Sequence, residues 1–183
     1  MARPSELLTF EIDVSDVDRG VYEQVNLRIA QHPSETDIRM LARVIAYSLH
    51  HRDELQFSKG GLSNGDDPAL FAQDLTGTLS IWLDVGQPSS ERLHRASKRA
   101  PRVIVYSYNT TESWLTKLRA ANLYEAETIE IFSLDADGLK VMAEGLQRRN
   151  RWSLLLHEGL LLVTAGEVSA SWPHERHYLK PLK

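Results

Sequence analysis

The 183-residue sequence contains no cysteine. This absence excludes a disulfide framework, a thiolate zinc site, an iron–sulfur cluster and a cysteine nucleophile. Long apolar runs are missing too, since none approaches the ~18 residues that a membrane span needs. The first residues, Met1-Ala2-Arg3-Pro4-Ser5-Glu6, carry no signal-peptide core. We therefore expect a cytoplasmic protein with no membrane association.

Several sequence signatures of common enzyme classes are also absent. The chain has no Gly-rich loop with lysine and Ser/Thr, no G-x-G-x-x-G before a helix and no G-x-S-x-G elbow. Its 7 histidines do not follow a zinc-binding spacing. These absences argue against P-loop, dinucleotide-binding, α/β-hydrolase and zinc-protease chemistry.

Composition and periodicity predict one soluble α/β domain spanning residues 1–183. Hydrophobic residues make up 42% of the chain and charged residues 25%, which is typical of a globular protein. Alternating or apolar runs predict strands, and 3.6-residue spacing predicts helices. The predicted strands cover 7–18, 21–30, 77–85, 102–106, 128–134, 152–157, 160–164 and 168–172. The predicted helices run from an N-cap at Ser34 to Leu49, and over 88–100, 110–122 and 135–147, in an α+β mixed sheet with an irregular stretch over 53–68.

Positive charge is concentrated in one predicted helix although the net charge is −4. Between Glu91 and Arg102 stand five basic residues and one acid. A smaller group consists of Arg148, Arg149 and Arg151. Such stripes either hold phosphates or form a solvated helix face, and both interpretations stay open here.

Three carboxylates stand at positions that suit a hard metal ion. Glu35 begins a helix, Asp74 precedes the strand over 77–85, and Asp84 ends that strand before a glycine break. Carboxylate oxygens with waters are ligands for Mg²⁺ or Mn²⁺, and such an ion polarises a phosphodiester. If the three acids cluster, they repel one another, so Asp74→Asn and Asp84→Asn are predicted to stabilise the metal-free protein.

At these residues the chain resembles the YaeQ family. The resemblance spans essentially the whole chain and rests on these residues: His32-Pro33-Ser34-Glu35-Thr36, Arg39, Gln56-Phe57, Asp74, Trp82 to Pro88, Arg92 and Arg95-Ala96. It implies a PD-(D/E)xK, or restriction-endonuclease-like, core of helix, three-stranded meander, helix and strand, here with an N-terminal and a C-terminal hairpin. It also implies that Glu35 is the helix acid and that Asp74 and Asp84 are the two strand acids.

The sequence departs from that superfamily pattern at two positions. Gln73 stands where proline precedes the first strand acid, and Gly86 stands where the pattern has its lysine. Gln87 could hold a water instead. Alternatively, the cation has moved to the following helix, where Arg92 and Arg95 are favoured. Lys98 and Arg99 would then extend a phosphate path along the same helix.

Two hypotheses about function follow. The first is a Mg²⁺- or Mn²⁺-dependent nuclease acting on DNA or RNA. The second is a catalytically inactive module that binds a nucleic acid or a protein on the same fold. A weaker third hypothesis makes the tryptophans a base-stacking surface, although positions in the core or at its rim explain most of them. The four tryptophans are Trp82, Trp114, Trp152 and Trp172.

Overall fold

The computed structural model describes residues 6–59 and 66–180. Its elements are, in chain order, β1 (Glu6–Asp16), β2 (Val21–Gln31), α1 (Asp37–Leu49), β3 (Leu55–Phe57), β4 (Leu70–Gln73), β5 (Leu79–Val85), α2 (Ser90–Arg99), β6 (Arg102–Ser107), α3 (Glu112–Ala120), β7 (Ile129–Ser133), α4 (Ala136–Glu144), β8 (Arg149–His157), β9 (Leu160–Ala165), β10 (Val168–Pro173) and β11 (Arg176–His177). A 3-10 turn, Ala126–Thr128, precedes β7. None of the helices within the described ranges is long and apolar enough to span a membrane.

The chain forms two compact units, each with its own mixed sheet. Unit 1 comprises residues 1–51 and 134–174, and unit 2 comprises residues 52–133 and 175–183. The expectation of a mixed α+β fold is confirmed, but there are two sheets where the sequence predicted one. The reason is that β1 pairs in parallel with β8, far away in the sequence. Local periodicity carries no information about such a pairing.

The sheet of unit 1 has the strand order β10-β9-β8-β1-β2. Alternation decides its inner face, because every second residue of β1, from Leu8 to Val14, is buried. Phe10 meets Trp152 of β8 edge-to-face, with the ring centroids 5.2 Å apart. Helices α1 and α4 pack against each other, and contacts with β1 and β10 place both helices on this sheet.

Unit 2 holds a sheet of order β11-β7-β6-β5-β4-β3. Strands β5, β6 and β7 are parallel, and β3, β4 and β11 run antiparallel at the two edges. Helix α2 packs on β5 and β6 by burying Leu93 and Ala96 in a cluster with Trp82, Val103 and Val105. The apolar run of β6 is buried throughout, as expected of a central parallel strand.

Several local predictions need correction. The N-cap of α1 is Thr36, whose side chain accepts the Arg39 amide, and not Ser34. Helix α2 is capped by Ser89, so Pro88 precedes the helix and is not in its first turn. The stretch over 53–68, predicted as irregular, contains the strand β3, which pairs with β4. Both strands are too short for alternation to reveal them. Residues 60–65 of this stretch lie outside the described residues.

One ionised side chain fastens two turns of unit 1. Asp18 lies in the β1–β2 turn and accepts the backbone amides of Glu158 and Gly159 at 2.7 and 2.8 Å. Both residues have left-handed backbone conformations, with φ of 49° and 72°. The hydrogen bond from Gly159, with help from that of Glu158, lowers the pKa of Asp18 below its usual 3.8.

The stability that this contact supplies should therefore depend on pH. Because the pKa of Asp18 is lowered in the folded state, its contribution is complete above pH 3.8 and is lost as the pH falls through the lower folded pKa. We expect Asp18→Ala to lower the urea midpoint at pH 7, with the difference from wild type shrinking in acid. A difference that stays constant from pH 7 to pH 2 would show that the carboxylate charge is irrelevant.

Candidate functional site

Glu35 lies immediately before the N-cap of α1 in unit 1 and is buried. Its carboxylate accepts two hydrogen bonds from Arg43, one of them from Nε at 2.8 Å, and a third from Arg39 Nη1 at 2.5 Å. Burial lowers the pKa of Arg43, and the neighbouring Glu35 charge opposes this shift. Both carboxylate oxygens are thus occupied by arginines one and two turns into the helix.

Asp74 lies in the tight turn between β4 and β5 and is exposed. One of its oxygens accepts the Thr76 amide at 2.8 Å, the Thr76 hydroxyl at 2.6 Å and the Thr78 amide at 3.0 Å. The hydrogen bond from the Thr76 side chain is the main cause that lowers the pKa of Asp74. These contacts are those of an aspartate that stabilises its own turn.

Asp84 lies near the C-terminal end of β5, and only 3% of its surface is exposed. Arg92 of α2 binds it with two hydrogen bonds, from Nε at 2.7 Å and from Nη2 at 2.8 Å. The indole Nε1 of Trp82 donates a third at 2.9 Å. The hydrogen bond to Asp84 raises the pKa of Arg92. The Arg92 guanidinium also donates to the Asp67 carbonyl oxygen at 2.6 Å, so it joins α2 to the segment before β4.

The structure does not bring Asp74 and Asp84 together, because they stand at opposite ends of β5. Gln73 pairs with Leu79 at the first end, and the five steps from Leu79 to Asp84 span about 16 Å. Within residues 6–59 and 66–180, no group of three or more His, Asp or Glu side chains is arranged to hold a metal ion. A Mg²⁺ or Mn²⁺ site on Glu35, Asp74 and Asp84 therefore stays a prediction, and the contacts of these residues do not fit it.

Two further acids, Asp66 and Asp67, lie in the segment that precedes β4, beside the Asp84 end of the hairpin, and the sequence reasoning missed them. The register pairs Leu70 with Leu83, so the chain just before β4 runs beside Asp84. These acids are visible in the sequence as the run Asp66-Asp67-Pro68. The run was assigned to a loop because the strand that follows it, β4, has only four residues.

The turn after β5 explains why glycine stands where the superfamily pattern has lysine. Gly86 has a φ of +102°, a conformation that side chains other than glycine rarely adopt. Its amide donates to the Tyr106 carbonyl at 2.9 Å. The next residue, Gln87, is exposed, and its side-chain amide donates to the Asn109 carbonyl. A lysine at position 86 would strain this turn.

The remaining cations of α2 line a basic cavity of about 420 Å³ on unit 2. Its walls are Asp66, Trp82, Arg92, Arg95, Lys98 and Arg99. Arg95 is 63% exposed and lies 3.4 Å from the Asp66 carboxylate, which is 75% exposed. Lys98 and Arg99 are exposed too, and the Arg99 guanidinium donates to the Asp66 carbonyl oxygen at 3.4 Å. This guanidinium also lies 5.0 Å from the centre of the Trp82 ring, within cation–π range. Arg92 is fixed by Asp84, whereas Arg95 and Arg99 make their contacts at the surface, where a ligand can compete with them.

The tryptophans do not form an exposed stacking surface. Trp82, Trp152 and Trp172 are each at most 4% exposed. Trp114 is half-buried, and its indole donates to the Pro88 carbonyl at 3.2 Å. The interpretation of the tryptophans as core and rim residues is therefore confirmed. The Trp82 ring also makes cation–π contacts with Arg92 and Arg99.

Two members of the second basic group, Arg149 and Arg151, lie on the outer face of the unit 1 sheet, and Arg28 joins them there. Thr9 of β1 pairs with Arg28 of β2 on one side and with Arg149 of β8 on the other, so these two exposed arginines stand on the same face, on the strands that flank β1. Arg151 lies two residues further along β8 and forms an exposed ion pair with Glu11 at 3.3 Å. This group provides a natural comparison for the cations of α2.

Comparison with known proteins identifies the family. The family model described as YaeQ protein matches residues 1–172. The YaeQ protein of Escherichia coli (strain K12) is 24% identical over 166 residues, which cover 90% of this chain and 91% of that protein. The crystal structure of YaeQ from Pseudomonas syringae has a TM-score of 0.84 at 34% identity and covers 99% of both chains. That of YaeQ from Xanthomonas axonopodis pv. citri has the same TM-score at 33% identity, covering 92% of this chain and 95% of its own. The chain therefore belongs to the YaeQ family.

Proposed function

We propose that unit 2 binds nucleic acid through its phosphates, along the exposed face of α2. The observation that carries this proposal is the basic cavity, where three solvent-facing cations stand beside one acid. Phosphate groups are bound in proteins by such clusters of Arg and Lys, and a local patch suffices on a protein whose net charge is −4.

The positions of the cations support this role. Arg92 is committed to the buried Asp84, which anchors the N-terminal half of α2 against the sheet. Arg95, by contrast, has an exposed partner in Asp66. Exposed pairs of this kind contribute roughly 0–1 kcal/mol, so a phosphate replaces the aspartate at little cost. The exposed cations are therefore carried by a helix that is fixed to the sheet.

The order of elements supports a restriction-endonuclease-like assignment within this proposal. Along the chain, α1 is followed by the antiparallel strands β3, β4 and β5, then by α2 and by β6, which is parallel to β5. This is the order of helix, three-stranded meander, helix and strand. On that fold, α2 follows the strand that carries the second acid, which here is Asp84.

The proposal is tested by fluorescence anisotropy with a labelled single-stranded oligonucleotide in low salt. We expect the double variant Arg95→Gln/Lys98→Gln to bind about tenfold more weakly than wild type, because it loses two phosphate contacts. The matched control is Arg28→Gln/Arg149→Gln, which removes the same charge from the second basic group and should bind like wild type. Equal losses in both variants, or no binding by wild type, would contradict the proposal and favour a protein partner.

Phosphodiester cleavage is the second candidate function. It is favoured by one observation, the buried Asp84 next to Arg92 with the Asp66-Asp67 pair beside them. Incubating a labelled oligonucleotide with the protein and Mg²⁺ or Mn²⁺ separates the two candidates. The binding proposal predicts intact substrate. Cleavage by wild type that Asp84→Asn abolishes would establish the nuclease instead.

A further inference from the structure

A second groove opens on unit 2 directly beside the basic cavity. It has a volume of about 400 Å³, within the range of roughly 300–1,000 Å³ typical of small-ligand pockets. Its apolar lining residues are Phe57, Pro68, Phe71 and Leu79. The polar lining residues are Gln56, Ser58, Lys59, Asp67, Gln73 and Arg99.

The groove follows from the way α2 covers the sheet. Phe71 pairs with Trp82 across β4 and β5, so the two rings stand on the same face, one strand apart. Helix α2 packs on β5 and β6 and buries Trp82 to 2% exposure. Phe71 lies one strand further out and stays half-buried. Phe57 pairs with Leu70, so its side chain stands on the opposite face of the sheet. The ring of Phe71 is thus left partly open to solvent at the edge of the helix.

Polar groups stand around the Phe71 ring in positions that suit a flat, hydrogen-bonding ligand. Gln56 pairs with Phe71 across β3 and β4, so its exposed amide stands on the same face as that ring. Gln73, two residues after Phe71, places a second exposed amide on this face. Each amide offers both a donor and an acceptor.

Arg99 lines both this groove and the basic cavity, so the two are continuous. A ligand that spans them meets cations on one side of Arg99 and an aromatic ring with two amides on the other. Nucleotides have this combination of an anionic phosphate and a flat heterocycle. In a duplex the base is stacked and paired inside the helix, whereas a single strand presents its bases for stacking on aromatic side chains.

We propose that the groove lined by Phe71, Gln56 and Gln73 takes an unpaired nucleobase, while Arg95, Lys98 and Arg99 hold the adjoining phosphates. This inference rests on the proposed function and specifies its substrate class as single-stranded nucleic acid. Phosphate binding along α2 alone would make no distinction between a chain with bases and one without them.

Two probes of equal charge test the base contact. One is an oligothymidylate of about eight nucleotides, a length within the site sizes of single-strand binders. The other is an abasic oligomer of the same length. We expect the full-length wild-type protein to bind the oligothymidylate at least five-fold more tightly, because stacking of one base on an aromatic side chain contributes about that factor or more.

The matched variants are Phe71→Leu, which keeps apolar volume but removes the ring, and Tyr178→Leu. Tyr178 is 44% exposed and follows β11, at the edge of the same sheet opposite to β3. Phe71→Leu should lower the affinity for oligothymidylate to that for the abasic oligomer, and Tyr178→Leu should leave it unchanged.

The outcomes separate the two proposals. Equal binding of the two probes by wild type would overturn the base groove and leave phosphate binding intact, and this comparison needs no variant to fold. No binding of either probe would overturn the proposed function and the groove with it. A preference for oligothymidylate that Phe71→Leu retains would also overturn the assignment to this groove.

Discussion

Glu35→Ala should lower the free energy of unfolding by about 3–5 kcal/mol, the largest loss that we expect from a single substitution in unit 1. The reason is the position of Arg43, whose side chain is 6% exposed and is bound to Glu35 through two hydrogen bonds. Without the carboxylate, that guanidinium remains buried and charged, and the charge of Arg39 lies next to it. The loss should appear as a lower urea midpoint with an unchanged denaturant slope.

A double-mutant cycle gives the control for this ion cluster. Glu35→Ala removes the carboxylate that binds the buried Arg43, and Arg43→Met removes two of the three hydrogen bonds that Glu35 accepts, whereas the double variant removes both groups. We therefore expect the double variant to be less destabilised than the sum of the single variants, with a coupling of about 0.5–3 kcal/mol. Additive losses would mean that Glu35 and Arg43 stabilise unit 1 independently of each other.

Asp84→Asn should destabilise the protein by about 3 kcal/mol, the lower end of the range for breaking a buried pair. The side chain of Asp84 is 5% exposed, and it receives two hydrogen bonds from Arg92 and one from Trp82. The value is at the lower end because Arg92 is 21% exposed and keeps its contact with the Asp67 carbonyl. The sequence alone predicted the opposite sign, from repulsion among three clustered acids.

Thermal melting with and without Mn²⁺ distinguishes the two accounts. The ion-pair account predicts that Asp84→Asn melts below wild type and that Asp74→Asn, on an exposed turn, changes the melting temperature much less. Arg92→Gln should match Asp84→Asn, since it breaks the same contact from the other side. A metal-site account instead requires that both aspartate variants melt above wild type without metal and that Mn²⁺ stabilises only the wild type.

The sequence was informative where local patterns decide structure. Alternation located the β1–β2 hairpin and the C-terminal strands, and the charge count located α2 as a basic helix. Sequence patterns failed to predict pairings between strands that are far apart along the chain. The parallel pairing of β1 with β8, which creates the second sheet, has no local signature.

The sequence likewise identified residues of the candidate site but not the contacts between them. Arg92 and Asp84 were both singled out, but their bidentate contact depends on how α2 packs on β5, which spacing does not specify. Asp66 and Asp67 were missed because the strand that aligns them with Asp84 is only four residues long. The groove at Phe71 was missed because it exists only where α2 fails to cover the sheet edge.

The most direct test of nucleic-acid binding along α2 is the salt dependence of the affinity for a single-stranded oligonucleotide. Each phosphate contact contributes about 0.7 to the slope of log K against log salt for a single strand. Arg95→Gln/Lys98→Gln should therefore have a slope about 1.4 smaller than that of wild type, whereas Arg28→Gln/Arg149→Gln should keep the wild-type slope. Equal slopes for wild type and the α2 variant would contradict the account, because these two cations would then contact no phosphate.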